Sequence, residues 1–418
     1  MEKLMDVLQE RLMPFANKIT SYKFLMALGQ TFQILLPIIM IGSFAALGAF
    51  LNVDFWQSFV QSTGLNMILM GTQSVTLSLI AFYVVMVLPY QYAQKLGINP
   101  ISSTVLSVMA FLLVTPTELY TSIPLAWLGY PGLFGAMFVG AFVPLITKFL
   151  IDKKIYIKMP AGVPQIVEDS FASLVPAFVV MLIAIVIAQV FAKTSFGSLH
   201  GVIYQLIQTP LQGVGLSYPF YLFIQMLSTL LMFAGIHGNT VFGTITPITL
   251  AASAENLAAL ANGSTLPNII TSSFSVFCQP GGIGGTLALA FMLAFLSKSK
   301  RLRTLGKLAL IPALFGINEP LIFGIPILLN PMLFIPYILS PIVATTTAYF
   351  SILIGLVPRL SGVEVNWTMP QIVSGFLAQG PQAAILQVVI IALTAAIWFP
   401  FFKLVDKKIA AEEQANAE

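Results

Sequence analysis

The chain has 418 residues, 58% of them hydrophobic and only 8% charged, with a mean hydropathy of +0.93. A soluble chain carries roughly 25% charged residues, so these figures exclude a soluble multi-domain enzyme, a nucleic-acid binder and a disordered protein. A formal net charge of +4 and a single cysteine, Cys278, leave no disulfide frame and no cysteine-based metal site.

In chain order, Met1 to Ala16 sets Glu2, Lys3, Asp6, Glu10 and Arg11 against Leu4, Leu8, Leu12 and Phe15. That spacing predicts an amphipathic surface helix and not a cleavable signal. Ten apolar blocks follow, near 25–51, 66–90, 99–115, 127–147, 171–193, 217–235, 240–262, 283–297, 332–357 and 383–402. Their lengths approach the ~20 residues that cross a bilayer, and they are apolar all round rather than alternating. The fold class predicted is an all-α polytopic membrane protein. Segments 151–170 and 198–212 read as interfacial, the second holding His200.

Two stretches are poor spans yet too apolar for ordinary loops. One is 263–285, ending in Pro280-Gly-Gly-Ile-Gly-Gly285; the other is 308–331, containing Phe315-Gly-Ile-Asn-Glu-Pro320 and Asn330-Pro331. Broken backbone at membrane depth survives only where protein or a watery cavity satisfies it. Both are therefore expected to be re-entrant or unwound, as in transporter binding sites.

Charge sets the expected topology, because short cytoplasmic loops collect Lys and Arg. Sixteen of the nineteen basic residues fall in four patches: Lys3 to Lys23, Lys148 to Lys158, Lys298 to Lys307, and Lys403 to Lys408. Ten spans put these patches, Lys95 and both termini on the cytoplasmic side, with Lys193 and Arg359 opposite. The expected division is an N-terminal half over 1–158, a linking segment and fifth span over 159–193 that belongs with it, and a C-terminal half over 194–418.

In so apolar a chain the informative residues are ionisable groups far from a basic loop. His237 sits in Ala234-Gly-Ile-His-Gly-Asn239, and Glu319 directly precedes Pro320. Each has a bland reading: a helix-end histidine bonded to backbone, and a carboxylate tying down a kink. Flanking glycines, Asn239 and Asn318 tilt both towards a site, since glycine lets backbone or ligand approach and the amides suit a polyhydroxyl ligand. Trp367, in Asn366-Trp-Thr-Met-Pro370, is either an interfacial tryptophan, as Trp56, Trp127 and Trp398 are read, or a platform for a sugar ring. Gly281, Gly282 and Gly284 could form an anion nest, a hinge or a close helix contact. With two histidines and no ligand cluster, no metal site is expected.

At these motifs the sequence resembles the membrane-embedded IIC component of the bacterial phosphoenolpyruvate-dependent sugar phosphotransferase system, lactose/cellobiose/diacetylchitobiose family. The resemblance runs over essentially the whole chain. It rests on Met159-Pro…Val163-Pro…Ser170-Phe…Leu174…Pro176, Gly235-Ile-His-Gly238, Gly281-Gly-Ile-Gly284, Ile317-Asn-Glu-Pro-Leu-Ile-Phe-Gly-Ile-Pro326, Asn330-Pro331, Trp367-Thr-Met-Pro370 and Phe399-Pro-Phe-Phe402. It implies a homodimer joined through the N-terminal half, in the lipid of a bacterial cytoplasmic membrane. It also implies a β-linked disaccharide held by the C-terminal half, with no cofactor and no nucleic acid.

The implied protein partners are a cytoplasmic IIB chain bearing a phosphocysteine, with IIA, HPr and enzyme I upstream. The chain would then be the transport component of a phosphotransferase complex. Carried over by residue, Glu319 and His237 bind around the 6-hydroxyl that accepts phosphate, Asn318 binds neighbouring hydroxyls and Trp367 stacks on a ring. Gly316 stands where an asparagine is common, and Asn366 where a proline is common. The competing expectation is a proton-coupled sugar symporter using Glu319 and His237 as its proton pair.

Overall fold

The computed structural model describes residues 22–50, 54–116, 123–160, 162–235, 237–325, 327–328 and 330–415. The surface helix expected at Met1–Ala16 lies outside them. Among the described residues the chain is helical without a strand, as the uniformly apolar blocks require. These residues form two compact units: 22–214 with 246–251, and 215–245 with 252–415. Residues 194–214 cluster with the first.

The first unit contains α1 (Lys23–Phe50), α2 (Asp54–Ser62), α3 (Leu65–Val75), α4 (Ile80–Leu96), α5 (Pro100–Val114), α6 (Leu133–Asp152), α7 (Gln165–Ala192), α8 (Leu199–Ile203) and α9 (Thr209–Gly215). Helix α4 packs against α1, α5 and α6, and its Ile80, Val84, Val85 and Leu88 are fully buried. Helix α5 begins where Asn99 accepts the Ser102 N–H at 3.0 Å and Pro100 occupies the first turn, which lacks N–H partners in any helix. Asn99 also donates to Asp169 of α7 at 2.8 Å.

His200, read from the sequence as interfacial, is 1% exposed. It stacks on Trp127, meets Phe111 edge-on and lies 3.0 Å from the Thr115 hydroxyl. Gly135 leaves room for its ring: a Cβ there would collide with Nδ1. His200 is a packing residue.

The second unit contains α10 (Tyr218–Phe233), α11 (Asn239–Ala261) apart from its residues 246–251, α12 (Ser275–Cys278), α13 (Leu287–Leu296), α14 (Lys300–Leu314), α15 (Glu319–Gly324), α16 (Pro331–Leu353), α17 (Val373–Gln379) and α18 (Pro381–Ala415). Its core joins Phe233 of α10, Leu293 of α13, Leu321 of α15, Tyr337 of α16, and Trp398 and Phe402 of α18. Trp398 is fully buried there, so the belt position expected for it is corrected. It fills the core at the crossing of several helices.

Six helices among the described residues are long and apolar enough to span a bilayer, or seven if the broken pair Leu199–Gly215 and Tyr218–Phe233 counts as one. The expected blocks 99–115 and 283–297 form shorter apolar helices, α5 and α13. Helix α11 is long enough, but its threonines, Glu255 and Asn256 dilute its apolarity. Both broken stretches appear where expected. Residues 264–271 form no regular element before α12, and 315–318 form a turn between α14 and α15.

Candidate functional site

Four pieces of the second unit build the site: the α10–α11 connection, the glycine turn 279–286, the turn before α15, and the strap 358–372. His237 lies between α10 and α11, held close to α10 because Gly238 sits against Ser228. A Cβ on Gly238 would lie 2.6 Å from the Ser228 carbonyl oxygen, so no larger residue fits without a shift. Glu319 opens α15, and Pro320 follows in the first turn, where its missing N–H costs nothing.

The structure brings these two residues together. His237 Nε2 and Glu319 Oε1 lie 3.9 Å apart, with side chains 54% and 46% exposed. That separation is too long for a direct hydrogen bond. It leaves room for one oxygen at about 2.8 Å from each atom, the ordinary distance for a bonded hydroxyl. Half exposure keeps both groups open to a ligand.

Asn318 is placed differently from the hydroxyl ligand expected of it. It is 3% exposed, and its amide donates to the Ile283 carbonyl at 2.7 Å and to Thr286 Oγ1 at 2.9 Å. Both donors are spent on the glycine turn behind the site. The turn is shaped to meet it: Gly281, Gly282 and Gly284 have φ of 77°, 103° and 94°, a region that disfavours side chains. A Cβ on Gly282 would come within 2.7 Å of Asn318 Cγ and 2.8 Å of the Gly316 carbonyl. The amides of Gly282, Gly285 and Leu287 donate within the turn itself. These glycines thus serve close backbone approach, with three turn amides already committed.

Gly316, with φ of 76°, lies beneath Trp367: a Cβ there would sit 2.9 Å from the Trp367 carbonyl oxygen and 3.5 Å from its ring. Trp367 is 53% exposed, an aromatic face backed by the same turns that carry Asn318 and Glu319. Asn239 opens α11 two residues after His237; its side chain lies outside the described part. Sequence reasoning missed Thr286 and Gln387, the buried supports of the two turns. A lone glutamine within the apolar block 383–402 was the available signal, because a polar group there needs partners. Among the described residues no cluster of three metal-ligating side chains occurs.

A family model described as "Phosphotransferase system, EIIC" matches residues 29–341. The chain belongs to this EIIC family. It is 35% identical to the PTS system cellobiose-specific EIIC component of Geobacillus stearothermophilus, over 100% of this chain and 97% of that protein. It is 31% identical to the PTS system lactose-specific EIICB component of Staphylococcus aureus (strain COL), over 100% of this chain and 75% of that protein. Among solved structures it superposes on ChbC, the IIC component of the N,N'-diacetylchitobiose-specific phosphotransferase system. There the TM-score is 0.92 and the identity 36%, covering 97% of this chain and 99% of that one. This EIIC chain is accordingly a multi-pass membrane protein and the sugar-transporting component of a phosphotransferase system.

Proposed function

We propose that this EIIC chain binds a β-linked disaccharide of the cellobiose, diacetylchitobiose or lactose kind and holds its 6-hydroxyl between His237 and Glu319 for phosphorylation by a IIB partner. The observation that carries the reading is the half-exposed pair 3.9 Å apart. A hydroxyl donating to the Glu319 carboxylate makes a charge-assisted hydrogen bond. His237 then reaches the same oxygen from the other side. Transfer of the phosphoryl group puts negative charge beside Glu319, and repulsion favours release of the product. The chain contributes position, and it carries no covalent intermediate of its own. Trp367 offers the apolar face on which a pyranose ring stacks.

The EIICB relative, with its extra length beyond the region aligned here, supports IIB as the partner that delivers phosphate. We extend the reading to a homodimer in the bacterial cytoplasmic membrane with both termini cytoplasmic; the mass of the particle in nanodiscs tests the dimer. A proton-coupled symporter is disfavoured by membership of the EIIC family. Reconstituted vesicles decide the matter. With IIB, IIA, HPr, enzyme I and phosphoenolpyruvate, the expected product is sugar phosphate on the IIB side. Accumulation of free sugar driven by a pH gradient without those partners would overturn the reading.

A further inference from the structure

The strap that carries Trp367 is pinned on both sides of the tryptophan, and the pins are side chains from other elements. Upstream, Asn256 of α11 donates to the Leu360 carbonyl at 2.8 Å, and the Ser273 hydroxyl bonds the Val363 carbonyl while accepting the Val365 N–H at 3.2 Å. Downstream, one residue does the holding. Gln387 of α18, 1% exposed, accepts the N–H of Ile372 at 2.6 Å and of Gly375 at 2.8 Å through Oε1. Its amide donates to Ser374 Oγ at 2.9 Å and to the Val276 carbonyl of α12 at 3.0 Å. Gln387 therefore joins the end of the strap to the short helix that leads into the glycine turn.

The strap is strained where Gln387 grips it. Ile372 has φ of 75° and ψ of −51°, a conformation that a β-branched residue adopts only under constraint. Its side chain is 46% exposed, so packing does not impose the conformation. Its N–H is held by Gln387, and its carbonyl accepts the Phe376 N–H at 3.0 Å. Between the two sets of pins, Asn366 to Gln371 project as a short bulge whose tryptophan meets Gly316.

We propose that Gln387 is a positioning residue for sugar binding, fixing the Trp367 platform relative to the glycine turn behind Glu319. This rests on Trp367 being the ring platform of the proposed function. The strained Ile372 is the element Gln387 restrains: without it the backbone relaxes towards negative φ and the platform shifts. Glycine at 372 would occupy the same φ without strain.

The experiment is equilibrium binding of cellobiose, N,N'-diacetylchitobiose and lactose to the full chain in nanodiscs, with thermal stability recorded for each variant. For the sugar the wild type binds, Gln387→Ala should raise Kd about tenfold, the equivalent of one net hydrogen bond. In a Trp367→Ala background the same change should add less than about twofold, because coupled residues are non-additive. Adding Ile372→Gly to Gln387→Ala should restore Kd to within about threefold of wild type, which a purely structural role does not predict. If the alanine variant does not fold, Gln387→Met, of similar volume, carries the same readouts.

Wild-type affinity in Gln387→Ala, or losses that multiply with those of Trp367→Ala, would overturn the clamp while leaving the platform intact. No loss in Trp367→Ala alone, or a wild-type chain binding none of the three sugars, overturns the sugar-site reading and the clamp with it.

Discussion

Under the proposed function, a hydroxyl between Glu319 and His237 would meet one acceptor and one ring nitrogen, in a stretch set apart from the basic patches of the second unit. Glu319→Gln keeps the shape and removes the charge. Phosphorylation of sugar by phospho-IIB should fall by roughly ten- to a hundredfold, since a charge-assisted contact contributes roughly 1.5–3 kcal/mol. Membrane expression should be unchanged, and unaltered phosphorylation would remove Glu319 from the site. Trp367→Ala should weaken sugar binding by roughly 1–3 kcal/mol, the range for base stacking on aromatic side chains; titration calorimetry reads it.

A third residue, the half-buried Glu364 of the strap, has a shifted carboxyl. Burial pushes its carboxyl up to about 7, opposed by the Ser272 and Ser253 hydroxyls, and its Oε1 has no partner among the described residues. A raised carboxyl contributes stability that is complete below its ordinary 4.5 and lost as pH rises to about 7. The Tm of the wild type should therefore fall across that window, by the equivalent of up to ~3 kcal/mol. Glu364→Gln should flatten the profile, and parallel profiles would refute the assignment.

At the scale of elements, the site depends on how α14 is anchored, because α14 runs directly into the turn bearing Asn318 and Glu319. The amides just before and at its N-terminus are met by two carboxylates from the far end of α18. Asp406 accepts the N–H of Lys298 at 3.0 Å and of Ser299 at 3.1 Å, together with the Ser297 hydroxyl. Glu413 accepts the N–H of Lys300 at 3.0 Å and of Arg301 at 2.9 Å. Such acceptors satisfy donors that no helix can satisfy for itself and complement its dipole. Asp406 is 5% exposed, so Asp406→Ala leaves buried amides unpaired and should cost about 2–4 kcal/mol, read as a lowered Tm. Glu413 is half-buried and its amide partners are exposed, so it should matter less in the same measurement.

None of this capping was legible in the sequence, where Asp406 and Glu413 looked like ordinary tail charges. The broken stretches were legible, because Gly281-Gly-Ile-Gly284 and Asn318-Glu-Pro320 are poor helix in an apolar chain. The chain's identity as a helical membrane protein was legible for the same compositional reason. That Asn318 turns inward to Thr286, that Trp398 is core, and that His237 reaches Glu319 are long-range facts. They depend on which helices cross, and no local periodicity encodes that.

At the scale of the whole molecule, the charges argue for one orientation. Among the described residues, Lys148 to Lys158 run out of the end of α6, Lys298 follows α13, Lys300 to Lys307 lie in α14 and Lys403 to Lys408 in α18, while Lys193 follows α7 and Arg359 lies in the strap. Short basic loops stay cytoplasmic, so the loop after α7 should face outwards, and the basic patches should share the side from which IIB delivers phosphate. The chain is well suited to a direct test. Its single cysteine, Cys278, is buried at 1% exposure and offers no surface thiol to compete with an engineered one. Cysteines placed one at a time at Lys154, Ser195 and Lys408, all exposed, report the side on which each position lies. In intact cells a membrane-impermeant maleimide should label Ser195→Cys alone, and in inverted vesicles the other two. Labelling of Lys154→Cys or Lys408→Cys in intact cells would invert the topology. It would also place the basic patches on the face away from any cytoplasmic phosphate donor, which the proposed phosphorylation at Glu319 could not survive.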